Sequence, residues 1–326
     1  MKMKAVICTA YGAPEVLKLR SVDKPVPSKK EVLIRTHATS VTAGDCRMRA
    51  FDVPPSFKLF GRLFLGINKP RKAVPGMECA GEVVAVGKKV TRFKIGDEVY
   101  ASTGTRFGAY AEFTCLPESG PIALKPSNSS FIESAVLPIG ASTAIYFLRA
   151  SKLKEEQHIL INGASGSVGT YAIQFAKYIG AKVTAVCSEA NKELVTQLGA
   201  DITIDYKSED FMENGIQYDV IFDTVGILDI KKASRSLVER GCYLHAVGSP
   251  DIALKLARER RRSNKRFIAG GPSINTESLN ELRKLIEAGH IKSFIDRTYS
   301  IDDIVEAHRY VDTGRKRGNV AIRIKE

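Results

Sequence analysis

Apolar and polar positions follow two rhythms along the chain. Over residues 1–125, short strand-like runs alternate with Gly and Pro, at 4–8, 16–20, 31–37, 81–86, 98–101 and 109–114. Many short strands at this spacing predict a small all-β unit, a barrel. From about residue 130, helix and strand alternate. Residues 134–148 read as a helix, and strands follow at 159–161, 182–187, 202–204, 219–222, 243–247 and 266–269, with helical segments between most of them. Six strands in βαβ order predict one doubly wound parallel sheet, and runs such as VIFD and YLHAV fit strands buried on both faces. After residue 270, residues 277–288 and 301–310 read as helices and 319–324 as a closing strand. The fold class is α/β, with one domain over 1–127 and 271–326 and a second over 128–270. Residues 49–72 interrupt the first rhythm. Phe57, Leu59, Phe60, Leu63, Phe64 and Leu65 are too apolar for a purely solvated loop. They fit either a short helix that covers a cleft or a second core patch.

The stretch 159–188 carries the most chemistry. The apolar run Ile159–Leu160–Ile161 precedes Gly163-Ala164-Ser165-Gly166-Ser167-Val168-Gly169, after which Ala172, Phe175, Ala176 and Ile179 continue from Val168 at helical spacing. A second apolar run, 183–187, follows. Strand, Gly-rich turn, helix and strand make the first unit of a dinucleotide-binding fold. Glycines let the backbone approach a pyrophosphate, and a helix start offers free N–H groups and a positive dipole end. Ala164 stands where the G-x-G-x-x-G fingerprint has its first Gly, but the surrounding elements supply the context that the motif demands. The competing reading is a nucleotide-free α/β sheet with a tight turn. Ala164, Ser165, Gly166, Ser167 and Val168 are candidate cofactor contacts, joined by Val225, Val247 and Gly248 at the ends of later strand candidates.

The end of the second strand bears on which dinucleotide. NAD-specific folds usually place Asp or Glu about 20 residues beyond the motif, and here that place falls on Ser188. A hydroxyl does not repel a 2′-phosphate, and Asn191, Lys192 and Tyr206 offer donors to it. This favours NADPH. Against it, a slip of one residue would put Glu189 in the pocket, and Lys192 would also suit a solvated helix surface.

Composition narrows the class. With 44% hydrophobic and 26% charged residues, the chain reads as a soluble globular protein, and no apolar run approaches the roughly 20 residues of a membrane span, so no membrane partner is expected. The N-terminus reads as a first strand rather than a signal peptide. Six cysteines, at 8, 46, 79, 115, 187 and 242, include no C-x-x-C pair and suit reduced thiols in a cytoplasm. The formal charge is +13, concentrated in Arg258, Arg260, Arg261, Arg262, Lys265 and Arg266 and again in Arg315, Lys316 and Arg317. A solvated basic face, attraction of a phosphorylated cofactor, and nucleic acid are the three readings. The run lacks interleaved aromatics, which weighs against the third.

The Gly-rich turn occurs together with Gly76-Met77-Glu78-Cys79-Ala80-Gly81-Glu82, Phe93-Lys94-Ile95-Gly96-Asp97-Glu98, Gly108-Ala109-Tyr110-Ala111-Glu112 and the ending Ala307-His308-Arg309-Tyr310 through Gly318-Asn319-Val320. In this order and over nearly the whole length, the chain resembles a medium-chain dehydrogenase/reductase of the zinc-free quinone oxidoreductase branch. The resemblance implies a GroES-like β-barrel domain, a Rossmann domain inserted near its end, a C-terminal return to the barrel, and a cleft between domains where nicotinamide meets substrate. It also implies a homodimer. Thr143 falls where the family often brings a Thr near nicotinamide, and Asn319 where the returning chain meets the cofactor; helix packing and turn formation are the alternatives.

In zinc-dependent relatives the ligand positions match Thr42, Met77 and Gly140 here, and the four-Cys structural lobe has no counterpart. A thioether is a poor zinc ligand beside an imidazole, so no metal is expected. Without a Lewis acid, conjugated acceptors suit the chemistry: a quinone or an α,β-unsaturated carbonyl takes hydride at carbon, and donors stabilise the oxyanion. Thr42 stands where these quinone reductases often have Asn, and Asp45 matches a recurrent Asp that also suits a helix cap. Both are candidate catalytic residues. The expected function is NADPH-dependent reduction of a quinone or enone. The alternatives are a catalytically weak NADPH-binding protein with an RNA-binding or structural role, and a zinc-free alcohol or enoyl-thioester reductase.

Overall fold

The short apolar runs of the first third form antiparallel strands. In the computed structural model, which describes residues 1–53 and 58–324, Lys2–Cys8 pairs with Leu17–Asp23. A seven-stranded sheet runs in the order Ile295–Ser300, Asn319–Arg323, Glu31–Ser40, Glu78–Val86, Glu98–Ser102 and Ile122–Leu124, with Phe113–Pro117 also on Glu31–Ser40. Val32, Ile34, Val83, Val99, Leu116 and Ile122 fill one core cluster. Val6, Leu17, Tyr110, Ile304, Val320 and Ile322 fill another. Each such side chain contributes about 1.5–3 kcal/mol when fully buried. The C-terminal strand returns to this unit because Ala321 pairs with Ser40 and Val320 packs on the first strands.

The later part forms a six-stranded parallel sheet in the order Ile202–Asp205, Lys182–Cys187, His158–Asn162, Tyr218–Asp223, Leu237–His245, Arg266–Ala269. His158–Asn162 is the first of these strands in the chain and lies in the middle, so the order reverses beside it. That reversal is the topological switch point of a doubly wound sheet, where ligands bind at the carboxyl ends of the strands. The two compact units are Met1–Ile139 with Ile274–Gly289 and Ser293–Glu326, and Gly140–Ser273 with His290–Lys292. The first division falls after Ile139 rather than after 127, and the second after Ser273 rather than after 270.

Several elements differ from the sequence reading, each for a local reason. The helix expected at 134–148 is two, Phe131–Ala135 and Gly140–Ser151, because Pro138 has no N–H and its ring clashes with the preceding turn. The strand expected at 109–114 lies at Phe113–Pro117, with only an isolated bridge between Ala5 and Ala111 before it. Ile295–Ser300 escaped notice because it is a half-exposed edge strand with polar side chains. Within 49–72, a helix forms at Lys58–Leu65. It is not a core patch, since Phe60, Leu63 and Phe64 are exposed. Phe57 and the Leu59 side chain lie outside what is described.

Candidate nucleotide site and a buried polar cluster

The turn after His158–Asn162 is shaped by its glycines. Gly163 has φ +76°, a conformation that L side chains rarely adopt. Its N–H and that of Ala164 donate to the Val186 carbonyl, both at 3.1 Å, which ties the turn to the neighbouring strand. A Cβ on Gly169 would fall 2.4 Å from the Gly163 carbonyl oxygen, so glycine lets the helix Ser167–Ile179 start against the turn. Gly166 is the N-cap and has no side chain to satisfy the first N–H groups of that helix. Those groups and the dipole suit a phosphate. Ala164 is fully buried, whereas Ser165, Ser167 and Val168 are half-buried.

The residues at the second strand end converge on this turn. The Asn191 amide donates to Ser165 Oγ at 3.0 Å and to Ser188 Oγ at 3.2 Å. Lys192 Nζ lies 2.6 Å from the exposed Glu189 carboxylate, whose hydrogen bond raises the lysine pKa. Tyr206 is exposed, its N–H on the Cys187 carbonyl. At the switch point, Asp223 is fully buried. It accepts from Asn162 Nδ2 at 2.9 Å, from the N–H groups of Val225, Gly226 and Leu228, and from Tyr243 Oη at 3.1 Å. This carboxylate therefore sets the loop that presents Val225. A Cβ on Gly226 would meet Val247, so that loop lies beside the end of the next strand, where Gly248 is exposed. Asp223 was missed from sequence, where it read as the last letter of an apolar run. Thr143 is half-buried in a helix whose Gly140 allows close packing on Ser167 and Tyr171.

The first unit holds a second group of polar residues. Thr42 and Asp45 form a capping box for Ala43–Ala50. The Thr42 N–H and hydroxyl donate to Asp45 Oδ2 at 2.9 and 2.6 Å, and the Asp45 N–H donates to Thr42 Oγ1. The cap reading of Asp45 is thus what the geometry displays. Burial pushes the Asp45 pKa up to about 6, against the Thr42 hydrogen bonds, which lower it. Glu78 is buried as well. It accepts from Ser40 Oγ and, at 2.8 Å, from the Ile139 N–H, and burial pushes its pKa up to about 8. Burial lowers Lys316 to about 8, with Asp296, Cys46 and Glu78 pulling the other way. Its Nζ donates to the Gly318 carbonyl at 2.6 Å. Neither Glu78 nor Lys316 was a candidate site residue from sequence, although Glu78 stands in the Gly76–Glu82 segment, just before the apolar run at 81–86. Asn319 is buried and its amide donates to the Phe294 carbonyl at 3.0 Å. Its place among cofactor contacts rests on the resemblance.

A Cβ on Gly44 would sit 3.2 Å from Met77 Sδ and 3.3 Å from Thr42 Oγ1. Two of the positions that hold zinc in metal-dependent relatives therefore share one corner of this unit. Here they offer a thioether and an engaged hydroxyl, a donor set that does not fit zinc. Among the described residues, no three His, Cys, Asp or Glu side chains could hold a metal ion together.

The family model described as alcohol dehydrogenase GroES-like domain matches residues 28–126, and that described as zinc-binding dehydrogenase matches residues 198–322. The chain is 35% identical over 334 residues to 2-methylene-furan-3-one reductase of Solanum lycopersicum, covering 98% of this chain and 79% of that protein. The chain belongs to the medium-chain dehydrogenase/reductase superfamily, in its quinone-oxidoreductase-like branch. Another relative of this superfamily, the chloroplastic NADPH-dependent alkenal/one oxidoreductase of Arabidopsis thaliana, is 32% identical over 98% of this chain and 79% of its own length. The quinone oxidoreductase structure from Coxiella burnetii superposes with a TM-score of 0.88 at 29% identity, covering all of both chains. Reductases of the superfamily bind a nicotinamide cofactor, which fits the Gly163–Gly169 turn.

Proposed function

We propose that the protein is an NADPH-dependent reductase of a quinone or an α,β-unsaturated carbonyl, working without metal. The observation that carries the reading is the switch-point turn, with Gly166 open at a helix start and Asn191 linking Ser165 to Ser188. Ser165, Gly166, Ser167 and Val168 would hold the pyrophosphate. Ser188, Asn191, Lys192 and Tyr206 would face the adenosine ribose, where no carboxylate occupies position 188 and Glu189 is neutralised by Lys192. The names of relatives, quinone oxidoreductase and alkenal/one oxidoreductase among them, support the acceptor class. NADPH, when bound, supplies the hydride.

The chain's own contribution is donors and a proton. The Thr42 hydroxyl is the proposed donor to the acceptor oxygen: when Asp45 carries a proton, its Oδ2–H donates to Oγ1 across the 2.6 Å contact and the single hydroxyl hydrogen turns to the acceptor. Because burial raises Asp45 toward neutrality, this pair can hold a proton at Oδ2 and pass it through Oγ1 as charge develops on the acceptor. NADPH oxidation with 9,10-phenanthrenequinone and with a simple enone tests the reading, set beside RNA retention at low and high salt. Turnover that persists after exhaustive chelation, with less than stoichiometric zinc by elemental analysis, is the expected result. RNA retention without turnover would favour the binding-protein alternative instead.

A further inference from the structure

The helix Lys58–Leu65 wears its apolar stripe outward. Phe60, Leu63 and Phe64 recur at i, i+3 and i+4 and so share one face. They are 66%, 57% and 72% exposed, and Ile67 just beyond is 61% exposed. A surface helix of a soluble protein ordinarily buries such a stripe, and an exposed contiguous one marks an interaction site. The orientation is held from the other side. Gly61 is buried, and the Arg62 guanidinium lies 4.8 Å over the Phe51 ring and 5.8 Å over the Tyr11 ring, donating also to the Ile67 carbonyl. Arg71 donates to the Leu63 carbonyl at 2.7 Å, and Tyr11 Oη to the Gly66 carbonyl at 3.2 Å. Charge is equally one-sided. Between Asp52 and Glu78 the sequence has no acidic residue and five cations, Lys58, Arg62, Lys69, Arg71 and Lys72.

We propose that this segment docks the protein on an anionic lipid bilayer. Phe60, Leu63, Phe64 and Ile67 would enter the boundary between headgroups and acyl chains, and Lys69 and Lys72, just after the stripe, would face lipid phosphates. An interfacial helix needs this pairing of an apolar face with basic flanks. A second copy of the chain fits less well: a two-fold contact lays the patch on itself, and cations would meet cations with no carboxylate between them. RNA would use the cations but gives Leu63 and Ile67 nothing to do. No helix among the described residues is long and apolar enough to cross a membrane. The proposed mode is lying on the surface, which the lack of a spanning run does not address.

The test is sedimentation of the full chain with phosphatidylcholine vesicles, with and without phosphatidylglycerol. Binding is expected only when the anionic lipid is present, with release at high salt. Leu63→Ser combined with Phe64→Ser should weaken binding by roughly tenfold or more. Lys69→Gln combined with Lys72→Gln should weaken it roughly 25-fold, about fivefold per charge. All four side chains point to solvent, so melting temperatures should hold. Failure of the wild type to bind anionic vesicles overturns the proposal, as does equal binding by the Leu63→Ser/Phe64→Ser variant. Without vesicle binding, a change in oligomeric mass in that variant would assign the stripe to a second copy, and loss of RNA retention in the double Lys→Gln variant would assign the segment to nucleic acid; either result also overturns the proposal.

Discussion

Gly163, Gly166 and Gly169 stand in one turn, but the protein interior demands only two of them. Gly163 has positive φ, and Gly169 has a carbonyl 2.4 Å from where its Cβ would be. Gly166 has φ −80°, and its nearest neighbour would be 3.3 Å away. Valine at 166 should therefore fold, at a cost of about 1 kcal/mol for a poorer N-cap, while its side chain occupies the space proposed for pyrophosphate. NADPH titration by fluorescence should show binding lost in Gly166→Val with the melting curve nearly kept; intact binding would displace the site. A second residue-scale expectation concerns Glu78. Its folded pKa, about 8, lies above the ordinary 4.5, so the folded state holds a proton that the unfolded state releases between those values. Its contribution to stability is full below about pH 4.5 and is lost as pH rises toward 8. Asp45 acts in the same direction from 3.8 to about 6. Denaturant melts of wild type and Glu78→Gln across this range should show a downward slope in the wild type that is shallower in the variant.

Elements were legible where the pattern of apolar residues decides them. The strand at Lys182–Cys187 has the bounds that its apolar run suggested, because a strand buried on both faces is written almost wholly in apolar letters. Elements set by something other than burial were not legible. Ile295–Ser300 is an edge strand held by pairing and by polar side-chain contacts, such as that of Tyr310 Oη with Asp296, rather than by an apolar run. The basic run also looked uniform in sequence, yet its members do different things. Arg266 donates to the carbonyls of Ala150 and Ser151, at the end of the helix Gly140–Ser151, and Lys265 reaches the Ser234 carbonyl near the end of Ile230–Arg235. Cations at helix C-termini satisfy the last carbonyls and the dipole. Only Arg258 and Arg261 keep the plain exposed character that a charge run suggests, while Arg262 pairs with Glu259. Arg266→Ala should lower stability by about 1 kcal/mol in a urea melt, and leave NADPH affinity unchanged. An unchanged melt would mean that the two carbonyl contacts contribute nothing in solution.

At the scale of the whole molecule, the net charge of +13 acts on any anion that approaches, whichever side chains finally bind it. Sequence made this field legible but not its distribution, since Lys316, which read as one of a run of three cations, is half-buried with its Nζ on the Gly318 carbonyl. NADPH differs from NADH by one phosphate, so a positive field favours its approach, and Ser188, Asn191 and Lys192 would favour its retention. These two contributions separate with salt. Long-range attraction is screened once the Debye length falls to about 8 Å at physiological ionic strength, whereas the hydrogen bonds proposed from Ser188 and Asn191 would persist. The protein should prefer NADPH at low salt, and the preference in kcat/KM should shrink as salt rises without vanishing. Ser188→Asp should reverse the remaining high-salt preference by placing a carboxylate where the 2′-phosphate is proposed to lie. Steady-state kinetics with both cofactors across a salt series would read both effects. Equal efficiency with NADH and NADPH at every salt concentration would remove Ser188, Asn191, Lys192 and Tyr206 from the binding set, leaving the Gly163–Gly169 turn as the part of the site that stands.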